Sequence, residues 1–183
     1  RLEDNPAQQA IYLAYQAGLG SPMGRIPLGE PDTVSVISPG GVRRHWDAYC
    51  KPSNFLIGVA GGLASEEIVE TISKTFGDWA GEPTEAQPPH LISVVDRSVH
   101  HEKSSEQAHI CMLSSGVPRG HNLYYAGQLA VAILSGGGSS RLFTEVREKR
   151  GLAYSVAAFY QARRGGGLLA VYAGTTADRA QET

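Results

Sequence analysis

Two side chains near the C-terminal end of the sequence combine types and spacing that could do chemistry together: the guanidinium of Arg147 and the phenol of Tyr154. Arg147 comes about one turn before the end of a predicted helix, and Tyr154 follows seven residues later in a predicted strand. A tight turn at Gly151 between them can bring both groups to one edge of a sheet. Both groups donate hydrogen bonds and can bind a carbonyl or a carboxylate.

The elements that must position this pair lie in the segment Gly136–Val156, GGGSSRLFTEVREKRGLAYSV. Its three glycines allow a tight backbone turn, after which Ser139 or Ser140 is placed to cap a helix. We predict that this helix runs to about Lys149. It ends on cationic residues, which complement the dipole at a helix C-terminus.

A purely structural role is the alternative for both residues. Arg147 would then pair with Glu145 or Glu148, and Tyr154 would lie half-buried in the sheet. The spacing of these residues alone favours this alternative. The two glutamates are expected to be solvated helix positions rather than acid–base groups.

The histidines do not form a recognisable metal site. Zinc catalysis of peptide hydrolysis needs two histidines on one helix face, a carboxylate ligand and a general base. The sequence contains neither HxxEH nor HExxH. The nearest cluster, His100-His101-Glu102, falls in a predicted strand or loop, where adjacent side chains point to opposite faces. The six histidines are His45, His90, His100, His101, His109 and His121.

Glycine-rich stretches raise the alternative of a nucleotide site. The run GVAGG at 58–62 follows a predicted strand and precedes a helix, as a dinucleotide fingerprint does. GxGxxG would require glycine where Ala60 and Leu63 stand. The triple glycine at 136–138 lacks the GK[ST] of a phosphate loop. Tight turns account better for these glycines.

Helical and strand patterns alternate along the chain. Helices are predicted near 7–17, after Ser38-Pro39, after Ser65, at 123–134 and at 140–149, and Asp178 marks the start of another. Strands are predicted at 55–60, 91–95 and 109–114, with a hairpin of 154–162 and 168–173. This mixed order predicts an α+β fold, with helices packed on one face of a mixed or antiparallel sheet.

The composition of the 183 residues is that of an ordinary globular protein, with 42% hydrophobic and 19% charged residues. A net charge of -2 and a pI of about 6.3 give no indication of a polyanion-binding surface, and no nucleic-acid partner is expected. No apolar run approaches the ~18 residues of a membrane span. Cys50 and Cys111 are isolated, which predicts free thiols and favours the cytoplasm slightly over the periplasm.

The segment 136–156 resembles the C-terminal signature of the pitrilysin/insulinase family of zinc metallopeptidases, which includes the mitochondrial processing peptidases. LGSPMGRIPLGEPDTVSVIS is similar to the family's loop preceding a helix. YCKPSNFLIGVAGGLASEEIVETISKTFGDW is similar to its strand–helix segment. The resemblance covers nearly the whole chain, and the final block is its most specific part.

This resemblance implies a function. Family members build a clamshell from repeated α+β domains, one of which carries HxxEH and a downstream glutamate as zinc ligands. The partner domain supplies an arginine and a tyrosine that hold the substrate backbone, and these match Arg147 and Tyr154. The implied protein binds a peptide or unfolded protein for proteolysis, with zinc in the parent protein or its partner and no catalytic residue in this segment. The alternative is a non-catalytic partner or scaffold subunit of the same family.

The resemblance also implies a domain organisation. Residues 1–80 would close one family domain, 81–90 would form a linker, and 91–183 would open the next domain, so that the segment spans parts of two half-copies. The chain begins at Arg1 without an initiator Met, and we expect it to be part of a longer protein. In the family the zinc motif lies upstream of the position equivalent to Arg1, and the sequence leaves open whether the parent chain carries it. Opened half-domains leave unpaired sheet edges, which predicts dimerisation of the isolated segment.

Overall fold

The computed structural model of the chain describes residues 4–83 and 88–183. Its contacts define two compact units. The first, which we call the sheet unit, comprises the residues up to Gly29 together with Pro89–Thr183. The second, the helical unit, is Glu30–Pro88. The centre of the predicted linker 81–90 lies outside the described residues, and the predicted boundary between family domains stays a prediction.

Three antiparallel strands in the order β1–β3–β2 form the sheet. They are β1 (Gln107–Gly116), β2 (Ala153–Arg163) and β3 (Gly166–Thr176). β2 and β3 make the predicted hairpin, and β1 extends the predicted strand 109–114 at both ends. The central strand β3 is the most buried, because neighbours cover both of its edges. β1 and β2 are the outer strands of the described sheet, and the dimerisation expected from open edges stays a prediction.

Helices account for most of the remaining regular structure. Ser38 caps the second long helix as predicted, since its hydroxyl accepts a hydrogen bond from the Gly41 N–H at 3.1 Å. Ala64 is the N-cap of the next helix, with Ser65 as its first residue. The α-helices are α1 (Pro6–Leu19), α2 (Pro31–Ser35), α3 (Pro39–Tyr49), α4 (Ser65–Phe76) and α5 (Tyr124–Ser135). Within the described part of the chain, none of these helices has the length and apolar character to cross a membrane.

Shorter helical segments complete the element list. They are a π-helix at Phe143–Glu148 and 3₁₀ turns at Pro52–Asn54 and Ala177–Arg179. The last of these stands where the sequence predicted the start of a helix at Asp178. The α+β fold class with an antiparallel sheet is confirmed.

The helices of the sheet unit lie on both faces of the sheet. Leu113 and Tyr160 pair with adjacent residues of β3, so their side chains point to opposite faces. A Cβ placed on Gly18 of α1 would come within 3.1 Å of the Leu113 side chain. A Cβ placed on Gly127 of α5 would come within 3.0 Å of the Tyr160 ring. The fold class is confirmed, but the helices of the sheet unit pack on both faces of the sheet and not on the single face that the sequence predicted.

The predicted strand at 91–95 does not form. Its N–H groups donate to unrelated partners, which prevents a regular ladder. The N–H of Ile92 bonds the carbonyl of Gly165, and that of Val95 bonds the carbonyl of Gly18, each at 2.9 Å. The N–H of Val94 bonds a side-chain hydroxyl instead. The segment is extended but belongs to no sheet.

The predicted strand at 55–60 is also wrong. These residues are exposed and unassigned to any strand, although their composition favours β structure. A strand is stable only where another strand accepts its backbone hydrogen bonds, and the described part of the helical unit contains no strand. Leu56 is 97% exposed, which shows that the expected burial is missing as well.

An aromatic cluster organises the helical unit. The ring of Trp79 lies 4.8 Å from Phe55, 6.2 Å from Phe76 and 6.4 Å from Trp46, measured between centroids. Phe76 belongs to the predicted buried stripe of α4, yet it is 47% exposed. The cluster therefore joins α3, α4 and the chain after Pro52–Asn54 without enclosing them.

The hydroxyl of Tyr160 bonds the backbone just after the end of β1, on the face of the sheet that α5 covers. It donates to the carbonyl of Val117 at 2.7 Å and accepts from the N–H of the same residue at 2.6 Å. The Tyr160 side chain packs so close to Gly116 and Gly167 that a Cβ on either would come within 2.7 Å of its hydroxyl oxygen. Tyr160 thus couples the outer strand β2 to the end of β1.

We expect Tyr160→Phe to lower the free energy of unfolding by about 1–3 kcal/mol, because it leaves the half-buried Val117 amide without its partner. Urea unfolding followed by circular dichroism measures the effect. Tyr125→Phe, at a 79% exposed position, is the matched control and should change stability by less than about 0.5 kcal/mol. Equal losses in the two variants would contradict this role of Tyr160.

Candidate functional site

The helix that carries Arg147 is a π-helix over most of its length. It follows the glycine loop as predicted, and the Thr144 N–H donates to the Ser140 carbonyl at 2.9 Å. Further along, the Lys149 N–H reaches back five residues to the Thr144 carbonyl at 2.9 Å, which widens the turn. Such wide turns are uncommon and often mark functional positions. The predicted helix 140–149 is present, but nothing in the sequence indicated its π geometry.

A left-handed glycine ends this helix. Gly151 has a φ of 60°, a conformation that a residue with a Cβ adopts only at a cost. Its N–H donates to the carbonyl of Arg147 at 3.0 Å, and the N–H of Leu152 donates to that of Val146 at 2.9 Å. The turn predicted at Gly151 is therefore confirmed, and it connects the last helical turn directly to β2.

Tyr154 is the extra residue of a β-bulge. In the register between β2 and β3, Ala153 is opposite Thr175 and Ser155 is opposite Gly174, which leaves Tyr154 between them without a partner position. A bulge bends the strand and re-aims the side chain of the extra residue. Tyr154 is 79% exposed as a result.

The structure brings Arg147 and Tyr154 together. The guanidinium carbon of Arg147 lies 5.5 Å from the centroid of the Tyr154 ring and 4.8 Å from that of Phe143. Both distances are within the range of cation–π attraction. Phe143, four residues before Arg147 on the helix, was missed in the sequence, although this spacing places two side chains on one helix face.

The acidic neighbours of Arg147 make only weak contacts with it, and the choice between a structural and a binding role for the pair stays a prediction. Glu145 bonds Lys149 at 2.7 Å, and this hydrogen bond, with the lysine charge, lowers the pKa of the glutamate. Glu148 is 4.0 Å from Arg147, at the limit of an ion pair, and both side chains are largely in solvent. Such a pair contributes little to stability. Tyr154 is exposed rather than half-buried.

Arg147 and Tyr154 border an open cleft of about 480 Å³. A second guanidinium, that of Arg179, and the carboxylate of Asp178 also line it. A hydrogen bond from Thr176 holds the pKa of the Asp178 carboxyl below its usual value. The other lining residues are Gln107, Gly151, Leu152, Ala153, Gly174, Thr175 and Thr176. The cleft thus brings two guanidinium groups, a phenol and a carboxylate around one opening.

The metal-ligating residue types do not converge on this cleft. The described residues contain no group of three or more His, Cys, Asp and Glu side chains placed to hold a metal ion. His100, His101 and Glu102 lie outside the helices and strands of the structure. His109 on β1 shares a 2.8 Å hydrogen bond with the Tyr172 hydroxyl, and burial lowers its pKa. The donor set here does not fit zinc.

The antiparallel α+β fold is found in a known class of peptidase-family domain, as comparisons with known proteins show. The family model described as the peptidase M16 inactive domain matches residues 37–183. The chain is 31% identical to the uncharacterized zinc protease YmxG of Bacillus subtilis over 98% of its length and 44% of that protein. It is also 31% identical to an uncharacterized zinc protease of Streptomyces coelicolor, over 94% of this chain and 39% of the relative.

A solved structure shows the same fold. The peptidase M16 inactive domain from Pseudomonas fluorescens superimposes with a TM-score of 0.84 at 25% identity, covering 96% of this chain and 43% of that chain. The chain belongs to the peptidase M16 family, and the resemblance to pitrilysin and insulinase is confirmed. It spans less than half the length of the curated relatives it matches.

Gly151→Ala should destabilise the protein by about 1–2 kcal/mol, because alanine strains the left-handed turn. The cost is conformational, since the nearest atom to an added Cβ is 3.8 Å away. Gly138→Ala, in the loop before the same helix and without a positive φ, is the control and should be nearly neutral. Denaturant unfolding compares them, and an unchanged midpoint for Gly151→Ala would refute the strained turn.

The thiol of Cys111 should be inert near neutral pH. Burial raises its pKa to about 11, so about one molecule in 1,000 carries the thiolate at pH 8. Alkylation by iodoacetamide in a Cys50→Ser variant, followed by mass spectrometry, should accelerate about tenfold per pH unit between pH 8 and 10. A rate that levels off below pH 9 would show an accessible, activated thiol instead.

Proposed function

We propose that this chain forms the substrate-binding side of an M16-type zinc peptidase, with Arg147 and Tyr154 holding the backbone of a bound peptide. The observation that carries the proposal is the 5.5 Å approach of the guanidinium to the Tyr154 ring at the border of an open cleft. Family membership supports the peptidase context. The bulge and the glycine turn support a dedicated role, because both present these side chains to solvent rather than to the core.

The two groups would have complementary tasks. The planar fork of Arg147 can donate two hydrogen bonds to a carboxylate or to neighbouring carbonyls, while its face remains against an aromatic ring. The Tyr154 hydroxyl can donate one more. Donors of this kind bind peptide carbonyls in the ground state. They stabilise a reaction only where they face the charge that develops on the cleaved carbonyl.

Zinc would be supplied by another domain or subunit. The relatives are named zinc proteases, whereas the residues described here offer no set of metal ligands. A bound zinc ion in such a peptidase activates water and polarises the peptide carbonyl. The part proposed for this chain is to hold the peptide in register with that centre and to keep its backbone extended.

Arg147→Ala in the complete native protein should lower kcat/KM for a peptide substrate by about 30- to 1,000-fold, equivalent to about 2–4 kcal/mol of transition-state binding. The substitution removes a charged donor from the cleft and leaves no cavity in the core, because the Arg147 side chain is 42% exposed. Steady-state kinetics with a fluorogenic peptide measure it.

Arg150→Ala is the matched control. Arg150 lies three residues further along, is exposed, and does not line the cleft. Its replacement removes the same charge and should leave kcat/KM within about twofold. An unchanged kcat/KM in Arg147→Ala, with normal activity in the native protein, would refute the role of Arg147.

A non-catalytic subunit is the second candidate function. It is favoured by the description of the matched family model as an inactive domain. Arg147 and Tyr154 would then serve a zinc-bearing homologue in a complex, or the chain would act as a scaffold. Metal-dependent activity of the purified native protein by itself supports the enzyme, whereas activity that requires added zinc-bearing homologue supports the subunit.

A further inference from the structure

The turn Gly151–Leu152 sets the geometry of the Arg147–Tyr154 pair. Arg147 is attached to it through the carbonyl that accepts the Gly151 N–H, and Tyr154 follows it by only two residues. No other short path of backbone joins the two side chains. A shift of this turn therefore changes the distance between the guanidinium and the phenol.

Three side chains from outside the turn bond its consecutive carbonyls, and the weakest of these bonds is the 3.5 Å one from the Thr183 hydroxyl to Leu152. The Nη1 of Arg179 donates to the Gly151 carbonyl at 2.7 Å. The Oγ1 of Thr175 donates to the Leu152 carbonyl at 2.5 Å, where both residues are buried at 4% and 6% exposure. The Thr183 hydroxyl lies 3.2 Å from that of Thr175 and adds a further contact.

Arg179 differs from the threonines in its position and charge. It ends the 3₁₀ turn Ala177–Arg179 directly after β3, and it lines the same cleft as Arg147. A hydrogen bond from a charged donor is about twice as strong as a neutral one. Since Arg179 is 28 residues from Gly151 in sequence, its bond connects the turn to a separate part of the sheet unit.

We propose that Arg179 is a positioning residue for substrate binding: it holds the Gly151 carbonyl and thereby fixes the spacing between Arg147 and Tyr154. This proposal rests on the substrate-binding function proposed above for those two residues. Arg179 acts through the turn and not through direct contact with the peptide. A displacement of about 1 Å in a binding group can lower activity by about 100-fold, so a loosened turn has a measurable effect.

A double-mutant cycle in the complete native protein tests this role. Arg179→Ala should lower kcat/KM about tenfold when Arg147 is present, and less than about threefold in the Arg147→Ala background. Arg179→Lys, which keeps a charged donor, should recover part of the loss. Thermal unfolding of each variant identifies any general loss of structure, which would lower activity equally in both backgrounds.

Equal, additive losses in the two backgrounds would overturn the proposal, because Arg179 would then act on the substrate or on stability independently of Arg147. No loss in Arg179→Ala would overturn it as well. An Arg147→Ala variant with native activity would instead reject the proposed function of the pair. The single and double variants therefore separate the failure of one proposal from the failure of the other.

A measurement without substrate provides a second test. With ¹⁵N-labelled arginine, the Hε resonance of Arg147 should carry a ring-current shift from Tyr154 and Phe143, assigned by its loss in Arg147→Ala. In Arg179→Ala this shift should decrease, and in Arg179→Lys it should be largely retained. An unchanged Arg147 resonance in Arg179→Ala would show that the turn holds its position without Arg179.

Discussion

The left-handed turn at Gly151 is the constraint on which the candidate site depends. It lies in the four residues between the end of the π-helix at Glu148 and the start of the bulged strand β2 at Ala153, so the last helical turn and the outer edge of the sheet meet at one point. A right-handed residue there would send the chain away from β3. The carbonyls that this geometry exposes are bonded by side chains from β3 and from the 3₁₀ turn after it. The turn is therefore fixed both by its own conformation and by hydrogen bonds from residues distant in the sequence. It holds the backbones of Arg147 and Tyr154 while their side chains remain exposed.

The cleft combines groups of different chemistry. Arg147 and Arg179 contribute guanidinium groups, Tyr154 a phenol and Asp178 a carboxylate. The two arginines differ in their contacts, since Arg179 bonds the carbonyl of Gly151, whereas the guanidinium of Arg147 lies against the rings of Phe143 and Tyr154.

The helical unit illustrates how strongly β structure depends on partners. Residues 55–60 have the composition of a buried strand, and α3 and α4 have recognisable apolar stripes, yet much of this surface is exposed in the structure. Helices form from local hydrogen bonds and caps, as at Ser38, and need no distant segment to satisfy their backbone. A strand must find a second strand first. The same difference explains why 91–95 makes three unrelated hydrogen bonds in place of a ladder.

The sequence by itself determined the family, the fold class, the hairpin, most helix positions and the two residues of the candidate pair. These follow from local signals: glycine and cap residues, apolar periodicity, and a specific motif around 136–156. Only the tertiary structure decided that the helix is a π-helix, that Tyr154 occupies a bulge, and that Phe143 and Arg179 belong to the site. It also placed α1 and α5 on opposite faces of the sheet. The physical reason for Arg179 is its 28-residue separation from Gly151, a contact for which local sequence carries no signal. Phe143 is different, since it lies four residues before Arg147 on the same helix and its spacing was readable in the sequence.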